Sequence, residues 1–130
     1  MDALQLREKV AKFIVVNRIK DGLTQSNIAS KTSRTFQQIQ KYENCVNGVA
    51  SDTLLFICKA FGYDMHYLLN GKPEQLLSQL KPTELQKAKK KFQEIEKRIE
   101  QQRLENERYQ KMLPQLEAEM SYVVTFKDPT

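Results

Sequence analysis

The sequence predicts an all-α fold, with five short helices within residues 1–70 and one long C-terminal helix after them. Three observations predict it. Residues 3–20 repeat apolar groups at helical spacing, with Leu6, Val10, Phe13 and Ile14 on one face and Arg7, Glu8, Lys12 and Arg18 around it. Glycines and short polar residues then punctuate the chain at intervals that suit only brief helices. From Leu85 onward a heptad pattern sets in, with Lys, Glu, Arg and Gln between the apolar positions.

The first helix stops at "DG", Asp21 and Gly22, because glycine takes the left-handed C-terminal conformation at little cost. Thr24 caps a second helix in "QSNIASKTSR" through its hydroxyl, and Ala29 leaves room for another helix to cross closely. "TFQQIQKYE", about 35–43, makes a third helix that buries Ile39 and Tyr42, and "NCVNGVAS" interrupts it. Ser51 or Asp52 caps a fourth helix carrying Leu54, Leu55, Ile57, Cys58 and Phe61. Gly62 ends it, and Asp64 caps a last turn holding Tyr67, Leu68 and Leu69. Periodicity fades over 71–82, which reads as a linker. Thr83, with Gln86 three residues on and Pro82 just before, reads as a capping box that starts a helix over 83–121.

In that helix the heptad puts Leu85, Phe92, Ile99, Asn106, Leu113 and Met120 at a, and Ala88, Ile95, Gln102, Tyr109 and Leu116 at d. This is a coiled-coil pattern, and a buried Asn at an a position fixes register and favours two strands. The expectation is a parallel homodimer through Leu85, Phe92, Ile95, Ile99, Asn106, Tyr109 and Leu113, with antiparallel pairing and higher oligomers left open. Pro114 is expected to break the helix about one turn back. In the tail, 122–130, "YVVTF" reads as an edge strand or an element exchanged between subunits.

The chain of 130 residues, 40% hydrophobic and 28% charged, suits one folded domain with an appendage. Its net charge of +5 leans towards an acidic partner, of which nucleic acid is the commonest. Two cysteines, Cys45 and Cys58, and a lone His66 exclude a disulfide framework and a zinc site, so a reduced, cytoplasmic setting is expected. Cys58 reads as a small core residue, and Cys45 in its loop has no evident resolving partner. The charged start "MDALQLREKV" is no signal peptide, and no run approaches the roughly 20 apolar residues of a membrane span. Without a glycine-rich phosphate loop or a Ser/His/Asp spacing, no catalytic residue, metal or cofactor is assigned, and an enzyme is not expected.

What remains is a helix crowded with amides. Gln37, Gln38, Gln40 and Lys41 would be wasted inside a core, whereas a helix in the major groove offers amides to adenine and cations to guanine. With Ile39 and Tyr42 inward, the outer face holds Phe36, Gln37, Gln40 and Lys41, with Thr35 at the start, as the base-reading candidates. Gln37 suits adenine, Lys41 suits guanine or a nearby phosphate, and Phe36 suits thymine methyl groups. Arg34, Gln38, Asn44 and Asn47 are phosphate candidates around it.

The first 70 residues resemble the XRE family of helix-turn-helix domains, the fold of the phage Cro and repressor proteins. The likeness lies in Arg18, the run Gly22, Leu23, Thr24 and Gln25, then Ala29, Ile39 and Glu43 at the family's spacing. "TFQQIQKYEN" is similar to a bacterial subgroup sharing the phrase "TFQQ-Val/Ile-QKYE". The resemblance implies a five-helix lambda-repressor-like domain, transcription regulation on double-stranded DNA, Gln25 on a phosphate, and an Arg18–Glu43 ion pair tying the first helix to the third. The turn departs from the family, with Thr32, Ser33 and Arg34 where it has an apolar residue, glycine and another apolar residue. A left-handed Ser33 costs on the order of 1 kcal/mol that glycine would not. Cys45 likewise stands where glycine is common. Two functions follow as expectations: a homodimeric regulator on a palindromic operator, or a DNA-binding antitoxin or adaptor whose C-terminal helix binds a partner protein.

Overall fold

The computed structural model describes residues 2–46 and 48–127, with side chains through residue 120. In chain order it has α1 (Ala3–Lys20), α2 (Gln25–Lys31), α3 (Phe36–Glu43), α4 (Ser51–Phe61), α5 (Met65–Asn70), a 3-10 segment (Pro73–Gln79) and α6 (Pro82–Lys127), with no strand among the described residues. The chain divides into two compact units, Met1–Ile99 and Glu100–Thr130.

Local chemistry sets the helix limits. Asp2, Thr24 and Thr35 start α1, α2 and α3 with reciprocal capping boxes, closed by Gln5, Asn27 and Gln38. Four helices stop at a left-handed residue: Gly22 (φ 66°), Ser33 (54°), Cys45 (58°) and Gly62 (74°). After each, the next N–H reaches five residues back, Leu23 to Arg18, Arg34 to Ala29, Val46 to Lys41 and Tyr63 to Cys58, at 2.9–3.0 Å. The cap of α4 is Ala50 rather than Ser51 or Asp52, and its side chain makes no capping bond. The Asp52 carboxylate instead accepts from the N–H of Thr53, 2.8 Å away, and so serves the helix start from inside.

Helix α1 is the axis of the first unit. Residues 10–17 are buried without interruption, so the helix is covered on all sides. Val10, Phe13 and Ile14 pack with Leu54, Ile57, Cys58 and Leu68 of α4 and α5. On the other side Ala11, Val15 and Val16 pack with Leu76, Leu80, Ala88, Phe92, Ile95 and Ile99. Ile28, Ala29 and Ile39 form a third cluster between α2 and α3.

The second of these clusters corrects the expected domain plan. Residues 71–82 are no linker, because Pro73, Leu76 and Leu80 are buried over α1. Phe92, Ile95 and Ile99, expected to pair with another chain, are spent on the core of their own unit, with Leu85 packed against it. Each such burial stabilises by about 1.5–3 kcal/mol, and a side chain can be buried in this way only once. Helix α6 starts at Pro82, not Thr83, since the Lys81 carbonyl accepts from Leu85 N–H at 2.7 Å. Proline suits that first position because its missing N–H would have no partner there. Glu84, rather than Gln86, reaches back to the Lys81 N–H at 3.3 Å.

Pro114 does not end the helix, which runs on through Lys127. Proline forfeits one backbone bond, and the turns on either side carry the helix past it. "YVVTF" is therefore helical rather than a strand, β-propensity being weak beside continuation of a helix already formed. Asn47 and the tail residues 128–130 lie outside the described residues.

Lys12, placed by the sequence beside the apolar face of α1, is 5% exposed. Its ammonium lies 3.1 Å from Glu8, 3.0 Å from Glu74 and 2.9 Å from Glu96, and 5.3 Å from the centre of the Phe92 ring. The cluster thus ties α1 to both the 3-10 segment and α6. Burial alone would lower the Lys12 pKa, but hydrogen bonds to Glu96, Glu74 and Glu8 outweigh it and hold the ammonium above its ordinary range. Burial likewise raises the Glu74 carboxyl, and the bond from Lys12 more than reverses this, leaving it below its ordinary value of 4.5. A lowered carboxyl contributes stability that is present above its unfolded value and lost as pH falls through the folded one. The raised Lys12 contributes stability that is complete below its ordinary 10.5 and lost only at higher pH. Lys12→Met is therefore expected to lower stability at neutral pH and to flatten the acid limb. Urea unfolding at about pH 7 and about pH 3.5 checks this: wild type should lose more between the two than the variant.

Candidate nucleic-acid interface

Helices α2 and α3, joined through Thr32, Ser33 and Arg34 with Thr35 as the second cap, form a helix-turn-helix unit. Thr32 is buried and donates its hydroxyl to the Ile28 carbonyl at 2.8 Å, which fixes the end of α2. Ser33 then turns left-handed, as the missing glycine requires, and aims the chain into α3.

Ile39 and Glu43 face inward from α3, while Tyr42 is half-buried. Gln37, Gln38, Gln40 and Lys41 are exposed, and Phe36 is 41% exposed, so its ring points outward rather than into the turn. The hydroxyl oxygen of Thr35 accepts from Gln38 N–H at 3.1 Å, and Gln38 Oε1 accepts from Thr35 N–H at 2.9 Å. Both residues are therefore caps first, with the Thr35 hydroxyl hydrogen and the Gln38 amide hydrogens left to donate. Gln25 opens α2 and is half-buried.

The orientation of α3 is set by charge. Arg18 presents Nε and Nη2 to the two oxygens of Glu43, each at 2.9 Å, and Nη1 to the Leu23 carbonyl at 3.2 Å. Glu43 is 2% exposed in its side chain and Arg18 12%. A two-pronged pair shielded from water is directional as well as strong. The expected link between α1 and α3 is thus formed by one planar fork.

Other candidates are partly engaged. Asn44 Oδ1 accepts from Arg98 at 2.9 Å, and Lys91 lies 3.9 Å from Glu43, so α6 reaches the end of α3. Neither contact was signalled by the heptad, because Lys91 and Arg98 sit at g positions beside the apolar seam. Arg34 leans on Asp52 of α4 at 3.4 Å. Cys45 is buried with its sulfur 3.9 Å from the Arg7 carbonyl, and burial pushes its thiol up to about 11, away from the thiolate a redox sensor needs.

Two curated relatives are similar to this chain. One, from Rickettsia conorii, is named an uncharacterized HTH-type transcriptional regulator and is 29% identical over 101 residues, 75% of this chain and 81% of the relative. Another with the same description, from Rickettsia prowazekii, is 29% identical over 93 residues, 68% of this chain and 72% of the relative. No family model matches the chain, and no solved structure matches it.

The two left-handed residues flanking α3 should answer oppositely to glycine. Ser33→Gly is expected to stabilise by about 1 kcal/mol, because the side chain is exposed and only strain is relieved. Cys45→Gly relieves the same strain but empties a buried site, and is expected to destabilise. Thermal or denaturant unfolding of the two variants measures both signs.

Proposed function

We propose that this protein is a sequence-specific DNA-binding transcriptional regulator of the XRE type, acting as a homodimer on an operator with two related half-sites. The observation that carries the reading is the fixed presentation of α3. Its inward residues are locked by Ile39 and the Arg18–Glu43 fork, while Phe36, Gln37, Gln40 and Lys41 form one exposed face. The names of the two Rickettsia relatives support the same class.

In this reading α3 lies in the major groove. Gln37 pairs its amide with adenine, Lys41 meets guanine or a phosphate, and Phe36 packs on thymine methyls. Gln25, Arg34, Gln38 and Asn44 hold backbone phosphates and fix the register. Two recognition helices about 34 Å apart match half-sites one turn apart.

Pairing falls to the later part of α6, since the seam up to Ile99 is already buried. Tyr109, Met112, Leu116 and Met120 are exposed there, with Leu113 half-buried and the polar Asn106 within the same seam. That exposed stripe also favours a second reading, in which a partner protein rather than a second copy covers it.

Selection from a random DNA pool tests the main reading: an enriched palindrome is expected, and no enrichment would sink it. On the selected site, Gln37→Ala should relax preference at one base position at a cost of about 1–3 kcal/mol, whereas Gln25→Ala should weaken all sites alike. The division of α6 gives a separate expectation. Leu113→Asp should yield a folded monomer by light scattering, while Phe92→Asp should unfold the first unit, as circular dichroism would show.

A further inference from the structure

We propose that a lysine-walled cleft beside the helix-turn-helix unit grips DNA backbone phosphates in the flank of the half-site. The proposal rests on the DNA-binding reading above. The cleft, about 440 Å³, lies wholly in the first unit, with Arg18, Gly22 and Leu23 on one wall and Lys87, Lys90 and Lys91 of α6 on the other.

Charge makes the cleft a receptor for anions. Lys87, Lys90 and Lys91 stand at positions i, i+3 and i+4, where like charges repel. Arg18 is committed to Glu43, and Lys91 leans towards that same carboxylate at 3.9 Å. Glu84 and Glu94 share the lining, two carboxylates against the four cations Arg18, Lys87, Lys90 and Lys91, so the balance of the lining is positive. Among the described residues Lys87 and Lys90 have no ion-pair partner, and both are exposed. A cation pair of this kind is relieved by an anion that enters from solvent.

Position makes that anion a DNA strand. The rim at Gly22 and Leu23 leads directly into Thr24 and Gln25, where α2 begins and the proposed phosphate contact lies. DNA carries one negative charge per about 1.7 Å of axis, so a strand held at Gln25 presents further phosphates within reach of long lysine stems. Gly22 adds no side chain at the rim, and a Cβ there would meet nothing within 4 Å. The wall is thus open to a strand passing along it, and α6 becomes part of the DNA-binding surface.

The test compares wild type with the double variant Lys87→Gln/Lys90→Gln on the selected site, by fluorescence anisotropy across a salt series. Two duplexes are used, one ending at the half-sites and one extended by a helical turn at each end. Loss of two phosphate contacts per protomer should lower the slope of log affinity against log salt by about 1.8 per protomer on the extended duplex. The loss should grow with flank length and be the same whatever bases fill the half-site, with the thermal midpoint unchanged. An unchanged slope and affinity on the extended duplex overturns the proposal while leaving the regulator reading intact. Wild type that binds neither duplex overturns both. Inorganic phosphate that raises the thermal midpoint of wild type but not of the variant, with no dependence on flank length, assigns the cleft to a free anion and overturns it as well.

Discussion

The first unit is built around one constraint: the middle of α1, residues 10–17, carries apolar side chains on more than one face and is covered on every side. A five-helix arrangement covers half of it, through α4 and α5 over Val10, Phe13 and Ile14. The exposed remainder, Ala11, Val15 and Val16, needs a second cover, and the 3-10 segment and the first part of α6 supply it. Lys12 sits on this second side, and its carboxylate neighbours on two other elements keep a charge from being stranded in an apolar seam. Sequence order, in which the long helix comes last, therefore hides a packing order in which it is structural from its first turn.

Helix α3 inherits its position from the same axis. Immediately after the buried stretch of α1, Arg18 fixes Glu43 at the far end of α3, and the capping box of Thr35 and Gln38 fixes the near end. A short helix held at both ends by directional bonds presents its outer side chains with little freedom to reorient. Such a pair contributes less to net stability than to uniqueness of pose, because desolvation offsets much of its attraction. Ser33 and Cys45, each left-handed without being glycine, show the cost of that placement in backbone strain on either side of α3.

Much of this was legible in the residues. Gly22, Gly62, Thr24 and Asp64 announced helix limits through chemistry that depends only on near neighbours, and those limits are the observed ones. The exposed face of α3 followed from Ile39 and Tyr42 on its inner side, of which Tyr42 is only half-buried. The role of early α6 was misread because a heptad records which face is apolar and not whose core it enters. The signal that would have resolved it lay in α1, where "VAKFIVV" is apolar around the whole helix and implies two covers rather than one. Lys12 within that run belongs to a network of groups 62 and 84 residues away, which no local pattern encodes.

The double cover of α1 bears on how such a protein can evolve. Because Phe92, Ile95 and Ile99 complete the core, a chain cut to residues 1–70 would lose the side chains that cover Ala11, Val15 and Val16. The stretch after Ile99 is under no such obligation. Substitutions in that last quarter of the sequence can therefore accumulate while the interior of the first unit stays intact.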